Sequence, residues 1–246
     1  MLNFIELQYI KESSNHPDIF GIDEVGRGCL AGPIVAGCVK WNWEFILSEL
    51  NNIESQHRNF IVDIKDSKKL SHKKREILSN WILENAEYTN IISISAEEID
   101  SIGIQKANKV AMASSLPNRG RPSSRADHIY VLTDYMNIDK EIIEQGRGVL
   151  KSIPILHGED NSLSIASSSI IAKVYRDNLM RNEMHPKYAK YGFDTNVGYG
   201  TKKHIEAIKK YGLVDLHRKS FTSRLVSGIT KQSVPTLAKS GPYKVQ

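Results

Sequence analysis

The sequence has little cysteine and no long apolar run. Its two cysteines, Cys29 and Cys38, stand in one early region with no thiol or histidine cluster beside them, which excludes a disulfide framework and a cysteine-built zinc site. No apolar stretch approaches the roughly 20 residues that cross a bilayer. The start, Met1-Leu2-Asn3-Phe4-Ile5-Glu6, has neither a basic leader nor a sustained apolar core, so neither a membrane span nor a secretion signal is expected. A reducing cytoplasm is the expected compartment. Internal repeats are also absent, and no clear linker splits the 246 residues. A single domain over residues 1–228 is expected, followed by a mobile polar tail at 229–246 that contains Pro, Gly, Ser and Lys. Neither sign of charge dominates, since 33 Lys and Arg against 28 Asp and Glu leave +5. That balance is compatible with a polyanionic partner without establishing one.

What the sequence does have is an acidic pair in an unusual place. Gly21-Ile22-Asp23-Glu24-Val25-Gly26-Arg27-Gly28, running on to Ala31-Gly32-Pro33, sets two adjacent acids where an apolar strand meets a glycine-rich loop. Strand neighbours point to opposite faces, so Asp23 and Glu24 serve one ion together only if the backbone bends there. The glycines supply that bend. Oxygen donors of this kind suit a hard cation such as Mg²⁺ or Mn²⁺, whereas the bland alternative is a charged pair held by surface salt bridges.

Periodicity gives an alternation of elements. Strands are predicted at 19–24, 33–41, 90–94, 128–134 and 151–156, and helices at 71–86 behind Ser71 as cap, 104–115, 164–183 and 202–211. The stretch between 42 and 70 reads as mixed with loop character, and 116–125 as a flexible basic loop carrying Arg119, Arg121 and Arg125. Strands alternating with helices predict an α/β fold. Asp134 ends an apolar strand that can lie beside the first one, while Asp127 and Asp139 sit in loop-like surroundings. The bland reading of Asp134 is a turn residue.

The segment Gly21 to Gly28 with Ala31-Gly32-Pro33 closely resembles the opening signature of the ribonuclease HII family, the type 2 ribonucleases H. Asp66-Ser67-Lys68-Lys69-Leu70-Ser71, Ser164-Ile165-Ala166 through Ile171-Ala172-Lys173-Val174-Tyr175-Arg176-Asp177, Gly198-Tyr199-Gly200-Thr201 and His217-Arg218-Lys219-Ser220-Phe221 follow in that family's order. Several motifs in order are far more specific than one. The resemblance spans about residues 19–222. It implies a ribonuclease H-like fold, a central mixed sheet flanked by helices with a helical C-terminal part.

The resemblance also implies an activity: cutting the RNA strand of RNA/DNA hybrids, and cutting 5′ to single ribonucleotides in duplex DNA, with Mg²⁺ or Mn²⁺ in a two-metal mechanism. Ribonucleotide removal and RNA primer processing would be the uses. Two ions can divide activation of water from stabilisation of the leaving oxygen, and several carboxylates must converge to hold them. The implied set is Asp23, Glu24, Asp134 and Glu159. At the last position the family commonly has Asp, so Asp160 stays open as the alternative.

The Gly26-Arg27-Gly28 loop is implied to sense the 2′-hydroxyl, and Tyr199 to pack on the neighbouring deoxyribose. Ser67 and Lys68 would contact phosphate. Lys173 and Asp177, one turn apart, are implied as a supporting ion pair or as closer participants. Lys73, Lys74 and Arg75 read equally as a phosphate patch or a solvated helix face. Arg176, His217 and Arg218 fit either fold or substrate. The expected partners are RNA/DNA hybrid and ribonucleotide-containing DNA, with the chain a monomer, no membrane and no obligate protein partner. The alternatives are type 3 specificity, against which the arginine of Gly-Arg-Gly argues, and a catalytically weak or silent hybrid-binding protein on the same fold.

Overall fold

The computed structural model describes residues 4–12, 17–52, 54–65, 70–117, 129–136 and 150–226. In chain order these form α1 (Glu6–Glu12), β1 (Asp18–Val25), β2 (Ile34–Lys40), α2 (Trp43–Asn51), α3 (Gln56–Lys65), α4 (His72–Asn85), β3 (Tyr88–Ile94), α5 (Ala96–Ile102) and α6 (Ile104–Ser115). There follow β4 (Ile129–Asp134), β5 (Leu150–Ile155), α7 (Gly158–Asn161) and α8 (Leu163–Asn178), which runs straight into a π-helical turn, Leu179–Met184. A 3-10 turn (Ala189–Tyr191), α9 (Phe193–Asn196), α10 (Lys202–Tyr211) and α11 (Lys219–Val226) complete the helical C-terminal part. The five strands form one mixed sheet in the order β3-β2-β1-β4-β5. The expected α/β class, with helices around a central mixed sheet, is what the structure has.

By internal contacts the chain divides into two units. The first comprises the segment up to Glu24, Ala36–Ile92 and Lys109–Val174; the second comprises Val25–Val35, Ser93–Asn108 and the chain from Tyr175. In the first unit, α8 lies directly on the sheet because β1 carries glycine where the helix crosses. A Cβ on Gly21 would stand 2.2 Å from the Ser164 carbonyl carbon, and the Ser168 hydroxyl donates to the Gly21 carbonyl at 2.7 Å. The helix's apolar face, Leu163, Ala166, Ile170, Ile171 and Val174, packs with Val39, Trp41, Trp43, Ile46, Ile61, Ile64, Leu78, Trp81 and Ile82. Each fully buried Ile or Leu there contributes about 1.5–3 kcal/mol. Glu6 reaches the start of α8, accepting from the Ser162 hydroxyl at 2.6 Å and the Ser164 N–H at 2.9 Å. Complete burial holds its pKa above the usual carboxylate range.

In the second unit, Leu179, Met180, Met184, Tyr191, Phe193, Val197, Ala207 and Ile208 close a separate core with Ala31.

The expected helix after Ser71 begins at His72, with the Ser71 side chain accepting from the Lys74 N–H at 3.3 Å. The mixed stretch after residue 42 is a correction: it holds α2 and α3. Asn42 caps α2 by accepting from the Phe45 N–H, and Ile46, Ile61 and Ile64 are fully buried. Helices this short are held by tertiary burial more than by their own propensity, so their periodic signal is weak. Among the described residues, no helix is long and apolar enough to cross a membrane, and Cys29 and Cys38 are buried thiols that form no disulfide. The basic loop with Arg119, Arg121 and Arg125 and the tail at 229–246 lie outside the described residues.

Candidate active site

Register sets the acids in the first unit. β1 pairs in parallel with β4, Ile22 standing opposite Thr133. Asp23 and Asp134 therefore come next on neighbouring strands, both at the carboxyl ends, where open α/β sheets bind their ligands. β5 pairs in parallel on the far side of β4, with Ile155 opposite Asp134. The chain then turns back through His157, whose φ of 53° is left-handed, and brings the Gly158 N–H to Asp134 Oδ1 at 2.8 Å. Tyr135, directly after Asp134, is likewise left-handed at φ 57°. Left-handed non-glycine residues on both sides of the acids are backbone strain of the kind that gathers at functional sites.

Asp23 is the electrostatic centre of this group. It is 8% exposed, and its carboxyl is pushed up to about 7. Burial is the main cause, with the charges of Glu24 and Glu159 adding to it, against hydrogen bonds from the Ser169 side chain and the Glu24 N–H. The Glu24 N–H meets Asp23 Oδ1 at 2.8 Å. The structure thus brings Glu159 into electrostatic reach of Asp23, while Asp160, one residue on, is exposed. Among the described residues no three His, Cys, Asp or Glu side chains already meet as a metal-holding group. The donor set nevertheless fits a hard divalent cation: it is all oxygen, and its carboxylates repel one another around a desolvated member, a cost that an added positive charge offsets. Ser169 was not foreseen; its signal was position alone, on the face of α8 that meets the end of β1.

The glycine-arginine loop belongs to the second unit. Arg218 is fully buried and spends all three kinds of guanidinium nitrogen on main-chain carbonyls: Nη2 on Gly26 (2.8 Å), Nη1 on Arg27 (2.8 Å) and Nε on Gly32 (3.0 Å). Arg176, also fully buried, treats Pro33 (2.9 Å), Val197 (2.8 Å) and Ala31 (3.1 Å) in the same way. Of the two readings left open for these arginines, holding the fold is the one their bonds express. Gly26, at φ 89°, is required sterically, since a Cβ there would lie 2.2 Å from Arg176 Nε. Gly28 is exposed and a Cβ on it would meet nothing within 4 Å, so packing within the described residues does not demand glycine. Arg27 is exposed.

Tyr199 presents its ring 39% exposed beneath the Arg176 guanidinium, 5.8 Å from the ring centroid. Its phenol pKa is raised by burial first, and by the charge of Cys29, whose side chain it hydrogen-bonds.

Asp177 is buried at 3% and pairs with Arg181 at 3.7 Å, while Lys173 is half-buried. Lys74 pairs with Asp63 at 2.8 Å, and Arg75 donates to the Leu70 carbonyl at 2.7 Å, which gives those two an intramolecular use. Ser67 and Lys68 lie outside the described residues.

Comparison with known proteins gives the family and the fold. The sequence profile of the family described as ribonuclease HII matches residues 20–224, across both units. A ribonuclease HII of Clostridium beijerinckii is 43% identical over 219 residues, covering 89% of this chain and 73% of that protein. Among solved structures, the ribonuclease H2 of Pyrococcus horikoshii OT3 superposes with a TM-score of 0.66 at 22% identity, covering 85% of this chain and 97% of the other. Bst-RNase HIII in complex with Mn²⁺ superposes at 0.57 and 15% identity, covering 88% and 71%. These two likenesses establish a shared fold. With its profile match and close relatives, the chain belongs to the ribonuclease HII family of RNA-cleaving hydrolases.

Proposed function

We propose that this ribonuclease cuts the RNA strand of RNA/DNA hybrids and also cuts on the 5′ side of single ribonucleotides in duplex DNA, leaving 3′-hydroxyl and 5′-phosphate ends. The observation that carries the reading is the parallel register that sets Asp23 beside Asp134, with Glu24 and Glu159 both acting on the Asp23 carboxyl. Asp23, Glu24, Asp134 and Glu159 would hold Mg²⁺ or Mn²⁺, and the bound ions would polarise the phosphate and lower the pKa of the attacking water. Asp23 arrives at this task already destabilised as a carboxylate, so it gains more from a cation than an exposed acid does. The Gly158 N–H and the Ser169 side chain fix Asp134 and Asp23 in orientation.

For substrate selection, Arg218 immobilises Gly26 and Arg27 through their carbonyls, and the open space at Gly28 leaves room for close approach of a sugar. The half-exposed ring of Tyr199 offers an apolar surface for the adjoining deoxyribose. Ser67 and Lys68 would contact phosphate. Residues 1–228 would work as one catalytic domain, a reading supported by one family profile spanning both units. The cytoplasm is the proposed compartment.

The test is a gel assay with Mg²⁺ or Mn²⁺ on a DNA duplex carrying one embedded ribonucleotide, an RNA/DNA hybrid and an all-DNA duplex, with Asp23→Asn as control. Cutting 5′ to the ribonucleotide, lost in the variant, is the expected result. Cutting of the hybrid alone would move the specificity to the type 3 pattern. No metal-dependent cutting of either would refute the proposal.

A further inference from the structure

The loop that carries Tyr199 is held in a backbone conformation that its own residues resist. Val197 has φ 42° and Gly198 φ 90°. A β-branched residue at positive φ persists only where its surroundings over-determine it. Arg176 Nη1 donates to the Val197 carbonyl at 2.8 Å, the Gly198 N–H donates to Asn196 Oδ1 at 2.8 Å, and the Tyr199 N–H donates to the Asn196 carbonyl at 2.9 Å. The Tyr199 carbonyl accepts the Thr201 N–H at 2.8 Å and lies 2.9 Å from His204 Nδ1.

Behind His204 stands a second buried histidine. The Nε2 atoms of His204 and His217 are 3.2 Å apart, and His217 Nδ1 is 3.0 Å from the Val214 nitrogen. The protons of this chain can be assigned from either end. A carbonyl only accepts, so His204 carries its proton on Nδ1 and donates to Tyr199; its Nε2 is then an acceptor and must receive the Nε2–H of His217. From the other end, a main-chain N–H only donates, so His217 Nδ1 accepts from Val214 and its proton is again on Nε2. The Val214 carbonyl, 3.3 Å from the same Nδ1, would demand the opposite tautomer and leave His204 Nδ1 facing the Tyr199 carbonyl with no proton between them.

The pair is enclosed by apolar rings. The Tyr191 centroid is 4.8 Å from that of His217, and Phe193 is 5.3 Å from His204. Burial lowers the pKa of both imidazoles, that of His217 to about 4, which keeps them neutral in neutral solution.

We infer that His204 and His217 act as paired positioning residues for Tyr199, fixing its main chain so that the ring meets the sugar beside a single ribonucleotide, and so setting the preference between that substrate and continuous RNA. This rests on the proposed role of Tyr199. A substitution that removes the pair's bond to Tyr199 therefore acts on discrimination more than on cleavage in general.

The test compares kcat/KM on the single-ribonucleotide duplex and on the hybrid. His204→Leu lowers the first about tenfold more than the second, and His204→Asn, whose amide can place a donor where Nδ1 stood, restores most of that ratio. Tyr199→Ala is the reference and must lower the same ratio. If it does and His204→Leu does not, the positioning role is wrong while the reading of Tyr199 stands. If Tyr199→Ala leaves the ratio unchanged, both fall. A wild type that cuts neither substrate removes the proposed function itself. Should His204→Leu not fold, ¹⁵N imidazole spectra of the wild type decide the matter. His204 as the Nδ1–H tautomer and His217 as the Nε2–H tautomer, both neutral near pH 7, are expected; the reverse tautomers or a protonated ring would overturn the inference.

Discussion

Asp23 and Arg218 are both ionisable groups taken out of water, and burial disfavours the charge of each, pushing the Asp23 carboxyl up to about 7 and the Arg218 guanidinium down to about 10, but their hydrogen-bond surroundings differ. Around Asp23 the neighbouring charges have the same sign, and the carboxyl is pushed up to about 7 by burial and then by Glu24 and Glu159. Around Arg218 every kind of guanidinium nitrogen has a carbonyl partner. The first arrangement is unfavourable until a cation arrives; the second is complete without a ligand and makes the Gly26 to Gly32 backbone rigid. A site proposed to bind an ion and a loop that holds its shape thus use buried charge for different ends.

The largest expected effect comes from removing the frustrated charge. Asp23→Asn lowers cleavage by at least about 10³-fold, measured by single-turnover kinetics with Mg²⁺, because the ions lose a ligand and the nucleophilic water its activation. The same change raises stability when no divalent cation is present. A carboxyl whose folded pKa lies above its unfolded value contributes most below the unfolded value, 3.8, and loses that contribution as pH rises towards 7. Near pH 8 the variant is therefore more stable by roughly 1–3 kcal/mol in urea unfolding, and added Mn²⁺ narrows the difference by stabilising the wild type.

Arg218→Met is the converse experiment. It strands the Gly26, Arg27 and Gly32 carbonyls and costs about 3–5 kcal/mol, read from the denaturation midpoint.

The two glycines of the loop sharpen the comparison. Gly26→Ala forces a Cβ against Arg176 at positive φ and costs about 2 kcal/mol or more, whereas Gly28→Ala changes stability by less than about 0.5 kcal/mol. Gly28→Ala still raises KM for the ribonucleotide-containing duplex several-fold. Equal KM in wild type and variant would mean that no sugar approaches there.

A smaller effect is expected at Asp100 in α5, an acid that the fold favours instead of opposing. Its partial burial raises the pKa, but bonds from the Ser220 hydroxyl and N–H and the Lys219 N–H outweigh this and hold it below the usual range. Its stabilisation is present above the unfolded value, 3.8, and is lost as pH falls through the folded one. Asp100→Asn costs about 0.5–1 kcal/mol at neutral pH and nothing in strong acid, the reverse of Asp23→Asn.

Much of the proposed site was legible because its residues are local in sequence. Asp23 and Glu24 stood out beside glycines, and Asp134 stood out as an acid ending an apolar strand; the register of β1 with β4 supplied the juxtaposition that spacing alone does not. Spacing left Glu159 and Asp160 open as alternatives, and the left-handed turn at His157 that delivers α7 puts Glu159 within electrostatic reach of Asp23 and leaves Asp160 exposed. The arginines' role was hidden for a related reason. Arg176 and Arg218 read equally as fold or substrate charges until their donors are followed to carbonyls well over a hundred residues away in sequence for most of them. His217 stood in a family motif, but its pairing with His204 carried no sequence signal, the two being thirteen residues apart and joined only by folding. Helices α2 and α3 were missed because burial of Ile46, Ile61 and Ile64, more than periodicity, makes them helical.

The most direct test of the account is a crystal structure with Mn²⁺ and a duplex containing one ribonucleotide, with the ions located by anomalous scattering. The account predicts Mn²⁺ held by Asp23 and Glu24 from β1, Asp134 from β4 and Glu159 from α7. Manganese bound elsewhere, or at this place through Asp160 with Glu159 turned away, would contradict it.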